Sequence, residues 1–295
     1  MAHMHFLAAL MRAARWQVGS LAFHGGTNLH LCWQSIRYSE DLDFLLSSTA
    51  RNMKEVLQRA GKEVQDRFRA MDPDFQIEMR DKTKDPARMI VQHLVVSHPK
   101  VIGQVMVKLE FWRVSPQYLS DYQVELRQAR LPGVADYFAG ISPMVPSATK
   151  ASAFADKLVA FATRPHLKWR DLYDLWWLGT QSHPPINLED VAGQYLHHLQ
   201  AYNTYAGLHP WDAMLHLMRR YSDDDLVSAA DPDLKNWLPA SVWDQLEGDG
   251  VRRIVQYVRR TLEEFSARVE AMCQDEHCAE CEVGVRPACR QGGSS

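Results

Sequence analysis

Two short stretches hold the residue types that handle phosphate and metal. His24-Gly25-Gly26-Thr27-Asn28-Leu29 places paired glycines between an apolar run and a helix-like segment. Arg37-Tyr38-Ser39-Glu40-Asp41-Leu42-Asp43-Phe44 follows, with two carboxylates separated by one residue. Side chains alternate along a strand, so Asp41 and Asp43 share one face while Leu42 and Phe44 take the other. Two carboxylates so placed repel unless a cation stands between them, and hard oxygen ligands suit Mg²⁺ or Mn²⁺. Val105-Met106-Val107-Lys108-Leu109-Glu110-Phe111 repeats the pattern, with Lys108 and Glu110 opposite an apolar face. Should this strand neighbour the first, Glu110 becomes a third ligand and the site has room for two metals. Gly25 and Gly26 let bare backbone amides approach a phosphate, and a helix opening at Thr27-Asn28 adds its dipole and a hydroxyl. The chemistry this set can do is metal-assisted transfer at a phosphate. No GxxxxGK[ST] or GxGxxG is present, so the P-loop and dinucleotide-binding routes have no support.

The elements that must hold these residues follow from periodicity. Leu21-Ala22-Phe23 reads as a short strand stopped by the glycines, Asn28 to Trp33 as a helix, and residues 42–46 as a strand. Met53, Val56, Leu57, Ala60, Val64 and Phe68 fall at helical spacing and form a face that can lie on a sheet. Gln76–Met79, Met89–Val96 and Val101–Phe111 read as further strands. The fold class is therefore α/β (α+β): a small mixed-sheet domain followed by a helical one. The two prolines of Ile141-Ser142-Pro143-Met144-Val145-Pro146 mark the junction, giving domains at 1–145 and 146–272 and a Cys-rich tail at 273–295. In the second half Asn187 is placed to cap a helix, and Val251 through Met272 recur at three and four to make a final helix.

Charge narrows the partners. Lys and Arg number 33 against 36 Asp and Glu, for a formal charge of −3, so any polyanion must be met locally. Arg219-Arg220, Arg252-Arg253 and Arg259-Arg260 are candidate patches. No apolar run is long enough to span a bilayer, and the expected setting is the cytoplasm without a membrane partner. Cys32 reads as a core residue. Cys273, Cys278, Cys281 and Cys289 have a spacing that can close a zinc site or hold an iron–sulfur cluster, against a reading as reduced thiols on a polar tail.

The order strand, GG[ST], helix, DxD and later acid resembles the nucleotidyltransferase fold of the polymerase-β type. More narrowly, GGTNL followed by RYSEDLDF is similar to the AbiEii family of nucleotidyltransferase toxins from type IV toxin–antitoxin systems. Asp156-Lys157-Leu158 and Arg170-Asp171-Leu172-Tyr173-Asp174-Leu175 resemble that family's later Lys and RDxYDL motifs. The resemblance implies that Gly26 and Thr27 hold a triphosphate, Asp41 and Asp43 bind metal, Glu110 assists, and Lys157 and Asp174 work from the helical domain. Arg37 is a candidate for steering phosphate or for anchoring its loop, and Lys108 for contacting nucleotide. The implied activity moves an NMP from an NTP to an acceptor hydroxyl, with RNA, at a tRNA 3′ end, as acceptor and a cognate antitoxin as partner. Transfer to a small molecule and a non-catalytic nucleotide sensor are the competing readings.

Overall fold

The computed structural model describes residues 1–133, 141–181, 185–204 and 207–274, which fall into two compact units dividing between Thr149 and Lys150. The first unit runs α1 (Ala2–Ala13), β1 (Leu21–His24), α2 (Gly25–Cys32), β2 (Leu42–Ser47), α3 (Met53–Met71), β3 (Gln76–Asp81), β4 (Met89–Ser97), β5 (Gln104–Val114), α4 (Pro116–Asp121), β6 (Val124–Gln128) and β7 (Met144–Ala148). Its seven strands make one mixed sheet in the order β3-β4-β5-β2-β1-β7-β6, with β2 parallel to β5 and β1 antiparallel to β2.

Alternation gives each face of this sheet a different character. Leu21, Phe23, Leu42, Phe44, Val107, Leu109, Phe111 and Leu94 point to the side covered by α1 and α3, where they bury against Phe6, Leu10, Val56, Leu57 and Val64. Phe44 stacks on Phe111 with centroids 4.7 Å apart, so the central strands share one aromatic layer. Burying each such ring contributes roughly 1.5–3 kcal/mol. The opposite side receives His24, Asp43, Lys108 and Glu110. A strand pattern with one apolar side thus fixes the polar residues as a group, because a one-residue slip would drive them into the core.

Ile141 to Pro146, expected to be a junction, instead leads into β7. Met144–Ala148 pairs antiparallel with β6 and touches β1 at Phe23 and Ser147. Pro146 is tolerated because β7 makes only that single bridged pair with β1. The helix expected from Asn28 starts at Gly25, directly on the end of β1.

Within α1, His5 is 1% exposed, packs tilted against the Phe68 ring with centroids 4.9 Å apart, and neither ring nitrogen finds a partner. Burial, aided by the positive charges of Arg67, the N-terminus and Arg12, holds its pKa below the ordinary histidine value. The native state therefore binds fewer protons here than the unfolded chain. This contribution to stability is complete above the unfolded pKa of about 6.5 and is lost as pH falls from there toward the folded value, at up to about 1.4 kcal/mol per pH unit. His3 and His30 are lowered by burial as well and add to the slope. His5→Leu should reduce the acid sensitivity of the urea midpoint, its advantage over wild type widening from pH 7 to pH 5. An unchanged pH dependence would show that His5 is not the group responsible.

The second unit is helical among its described residues: α5 (Lys150–Thr163), α6 (Trp169–Gln181), α7 (Leu188–Leu199), α8 (Pro210–Arg219), α9 (Asp223–Leu234), a short 3₁₀ turn at Lys235–Trp237, α10 (Ala240–Leu246) and α11 (Asp249–Gln274). Asn187 caps α7 by accepting from the Glu189 amide at 3.0 Å. The expected final helix is α11, and Val251, Ile254, Val258, Leu262, Phe265 and Val269 are all buried along it. Cys273 lies in its last turn. Cys278, Cys281 and Cys289 lie outside the described residues, and with them the zinc expectation.

Candidate active site

The two sequence stretches meet because β1 and β2 are antiparallel neighbours. His24 ends β1 opposite Asp43, and β5 brings Glu110 opposite Asp43 on the other side. His24, Asp43 and Glu110 thus form one cross-strand row, in which directly opposed side chains sit about 5 Å apart at Cβ. Asp41 precedes β2 by one residue and falls on the same face as Asp43. Lys108 is two residues before Glu110 on β5 and donates to it at 2.8 Å. Burial opposes the Lys108 charge, but the hydrogen bond and charge of Glu110 and the charges of Asp41 and Asp43 outweigh it, and the ammonium is held above the usual lysine range. All three acids therefore act on one cation already among them. Asp41, Asp43 and Glu110 are hard oxygen donors of the kind Mg²⁺ or Mn²⁺ takes, although among the described residues the ligand atoms that already lie within 4.8 Å of one another are those of Asp72, Asp74 and His98.

The glycine bend is built against these acids. Gly25 has φ +77°, and a Cβ there would stand 2.5 Å from Asp43 Oδ2. At Gly26 a Cβ would lie 2.6 Å from an Arg37 Nη2 and 2.9 Å from Ser39 Oγ. Two glycines are thus required by close approach, the first also by its left-handed backbone. The first amides of α2 leave this bend with no side-chain cap from the N-cap residue, His24. Backbone donors at a helix start are a ready site for phosphate oxygens.

Thr27 and Arg37 are both buried beside the bend. Thr27 is 1% exposed, and its hydroxyl donates to the Asp41 carbonyl, so the side chain locks α2 to the DxD segment. Arg37 is 3% exposed, donates to the Tyr38 carbonyl at 2.7 Å and packs under Gly26. Asn28, with no role assigned from sequence, accepts from Ser147 Oγ at 2.6 Å and ties α2 to β7.

In the second unit Lys157 bridges two acids one helix away, Asp171 at 2.9 Å and Asp174 at 2.8 Å, and Arg164 also pairs with Asp171. Asp174 is fully enclosed. Arg170 instead lies over the Trp237 ring at 4.3 Å. The basic pairs of this unit are largely committed: Arg259 joins Asp223 at 2.5 Å and the Met218 and Tyr221 carbonyls, and Arg252 joins Asp224 at 2.8 Å.

One acidic cluster escaped the sequence reading. Asp72, Asp74 and His98 bring ligand atoms within 4.8 Å of one another. Asp72-Pro73-Asp74 is a second D-x-D in the sequence, which was the available signal; only the fold brings His98 to it. His98 follows β4 seven residues after Val91, the partner of Glu110, which places it about 23 Å along the strand from the acid row. Lys100 already stands 3.4 Å from Asp74. A cavity of about 310 Å³ lined by Lys54, Met79, Asp81 and Gln92 opens on the α3 side of the sheet, away from the acids. Cys32 is buried, and burial pushes its thiol up to about 12 against the opposing effects of Ser147 and Arg127, so it is chemically quiet.

Comparison with known proteins finds solved structures of similar fold and one matching family. A protein from H. pylori assigned as a nucleotidyltransferase is 17% identical with a TM-score of 0.51, over 92% of this chain and 96% of that one. MenT4, a nucleotidyltransferase toxin from Mycobacterium tuberculosis H37Rv, is 20% identical with a TM-score of 0.51, over 91% of each chain. At these identities the likeness is one of fold. No curated protein matches the chain. No helix among the described residues is long and apolar enough to cross a membrane. The model of the AbiEii nucleotidyltransferase toxins of type IV toxin–antitoxin systems matches residues 9–241, and with the glycine bend, the DxD pair and the Lys157 motifs all inside that span, the chain belongs to this family and is a nucleotidyltransferase.

Proposed function

We propose that this toxin is a metal-dependent enzyme that moves an NMP from an NTP to a hydroxyl of RNA, at a tRNA 3′ end, and so arrests growth in the cytoplasm until a cognate antitoxin restrains it. The observation that carries the reading is the row of Asp43 and Glu110, with Asp41 beside it, packed directly on the Gly25 bend. All of these residues belong to the sheet-bearing unit that ends at Thr149.

In this reading the amides of Gly25, Gly26 and Thr27 receive the triphosphate, and Arg37 and Thr27 hold the bend in place. Asp41, Asp43 and Glu110 would hold Mg²⁺ or Mn²⁺, which when bound neutralises phosphate charge and lowers the pKa of the attacking hydroxyl. The acceptor oxygen forms its bond to the α-phosphorus, the α–β phosphoanhydride bond breaks, and pyrophosphate departs. Glu110 or Asp43 accepts the proton of the acceptor hydroxyl. Lys157 suits a point-charge contact to phosphate, with Asp171 and Asp174 setting the position of its ammonium. Membership of a toxin family favours an acceptor whose modification stops growth, and tRNA ends are such acceptors.

The test is incubation of the full chain with each α-³²P-labelled NTP, Mg²⁺ and total RNA. Label is expected in a tRNA-sized band that needs both metal and Asp43. Label confined to small molecules would overturn the RNA acceptor, and label formed equally in EDTA would overturn the metal.

A further inference from the structure

We infer that the β3-β4-β5 part of the acid-bearing sheet face is the track on which single-stranded RNA lies as its end enters the active site, with Arg80, Lys82 and His93 as its phosphate contacts. The inference rests on the RNA-acceptor reading and adds where that acceptor is held.

Register carries it. Arg80 on β3 lies opposite His93 on β4, and His93 opposite Lys108 on β5, so three cation-capable side chains form one row. Lys82 follows β3 on the same parity, its amide bonded to the Val91 carbonyl at 2.9 Å, which places it at the end of the row that holds Glu110 and Asp43. Strands lie about 4.8 Å apart, so the basic row runs about 14 Å from the Asp41/Asp43 edge to the margin of the sheet. These groups meet solvent: the Lys108 side chain is 37% exposed, that of Arg80 is 40% exposed, and Lys82 is exposed. Met106, on the same face of β5, is 49% exposed and offers an apolar surface for a base.

The charge on this face is divided. The β1-β2 side carries the acids that suit a metal. The β3-β4 side carries Arg80, Lys82 and a titratable histidine, against Glu78, which pairs with Arg80 at 2.7 Å. A chain of net charge −3 needs a local cationic surface to hold a polyanion. The arginine pairs of the helical unit are poorer candidates, since Arg259 is engaged by an acid and two carbonyls at once. A phosphodiester chain complements a row of spaced cations beside exposed apolar surface. The same row leads a strand toward Lys108 and the acids rather than past them.

The experiment is fluorescence-anisotropy titration of the full chain with a labelled single-stranded RNA 12-mer over a range of salt. Comparison is with Arg80→Gln/Lys82→Gln/His93→Gln, with Lys82→Gln alone, and with an Arg253→Gln/Arg260→Gln control. The triple variant should raise Kd at least about tenfold, and loss of its two permanent cations should lower the log–log salt slope by about 1.4. Its KM for Mg-NTP and its urea midpoint should stay at the wild-type values. Unchanged RNA binding in the triple variant, or an equal loss in the control, overturns the track while tRNA labelling by wild type keeps the acceptor reading intact. Wild type that neither binds nor labels RNA overturns both. Preferential binding of poly-glutamate over RNA would assign the surface to an acidic polypeptide and overturn the track.

Discussion

Asp43→Asn should lower nucleotidyl transfer at least about 10³-fold and abolish toxicity, while the protein stays folded. The loss corresponds to about 4 kcal/mol of transition-state stabilisation. Asp43 is the residue common to every part of the site: it stands opposite His24 and Glu110 in the sheet, and its carboxylate is packed against Gly25. Its charge helps hold the Lys108 ammonium above its usual range. Removing that charge while keeping the shape leaves the sheet unstrained. It also relieves repulsion among three acids, so the urea midpoint should hold or rise. Single-turnover transfer with labelled NTP reads the first effect and denaturation the second. Wild-type turnover in a folded Asn variant would remove Asp43 from the chemistry. Loss of activity together with loss of folding would show it to be structural.

Gly25→Ala should cost both stability and activity, and by separable mechanisms. The φ of +77° strains any residue with a Cβ by about 1–2 kcal/mol. The new methyl would also sit 2.5 Å from Asp43 Oδ2 and 3.3 Å from Asp43 Cβ, so the whole side chain must turn away. A displacement of about 1 Å at a reacting group can cost about 100-fold in rate, and a drop of that order is expected at temperatures where the variant remains folded. Gly26→Ala makes the comparison informative. Its Cβ would press on Arg37 and Ser39, but its backbone is not left-handed, so its stability loss should be the smaller. Equal stability losses at the two positions would contradict the strain argument.

The legible part of the site was the part set by local sequence. Glycines at a strand end, a D-x-D at a strand start and the parity of Lys108 and Glu110 can each be read within a few residues. The adjacency of β2 and β5 could not, because parallel neighbours far apart in sequence leave no local trace. The burial of Thr27 and Arg37, and the bond each donates to a backbone carbonyl, leave no local trace for a related reason: both depend on how the loop folds over the bend. Prolines at 143 and 146 suit a break between modules, yet Pro146 lies within β7, which makes a single bridged pair with β1. Asp72 and Asp74 announced themselves as a pair, and their histidine arrives only through the turn of α3 into β3 and the length of β4. In the helical unit the pairing of Lys157 with Asp171 and Asp174, and the seat of Arg170 on the Trp237 ring, depend on how α5, α6 and the turn at Lys235–Trp237 pack, which no motif states.

The most direct measurement is an anomalous-difference map from crystals of the full chain grown with Mn²⁺ and a non-hydrolysable NTP analogue. Manganese density bounded by Asp41, Asp43 and Glu110, with the analogue's phosphates against the amides of Gly25 to Thr27, is the predicted result. Manganese seated only at Asp72, Asp74 and His98, or phosphates bound away from the glycine bend, would contradict it.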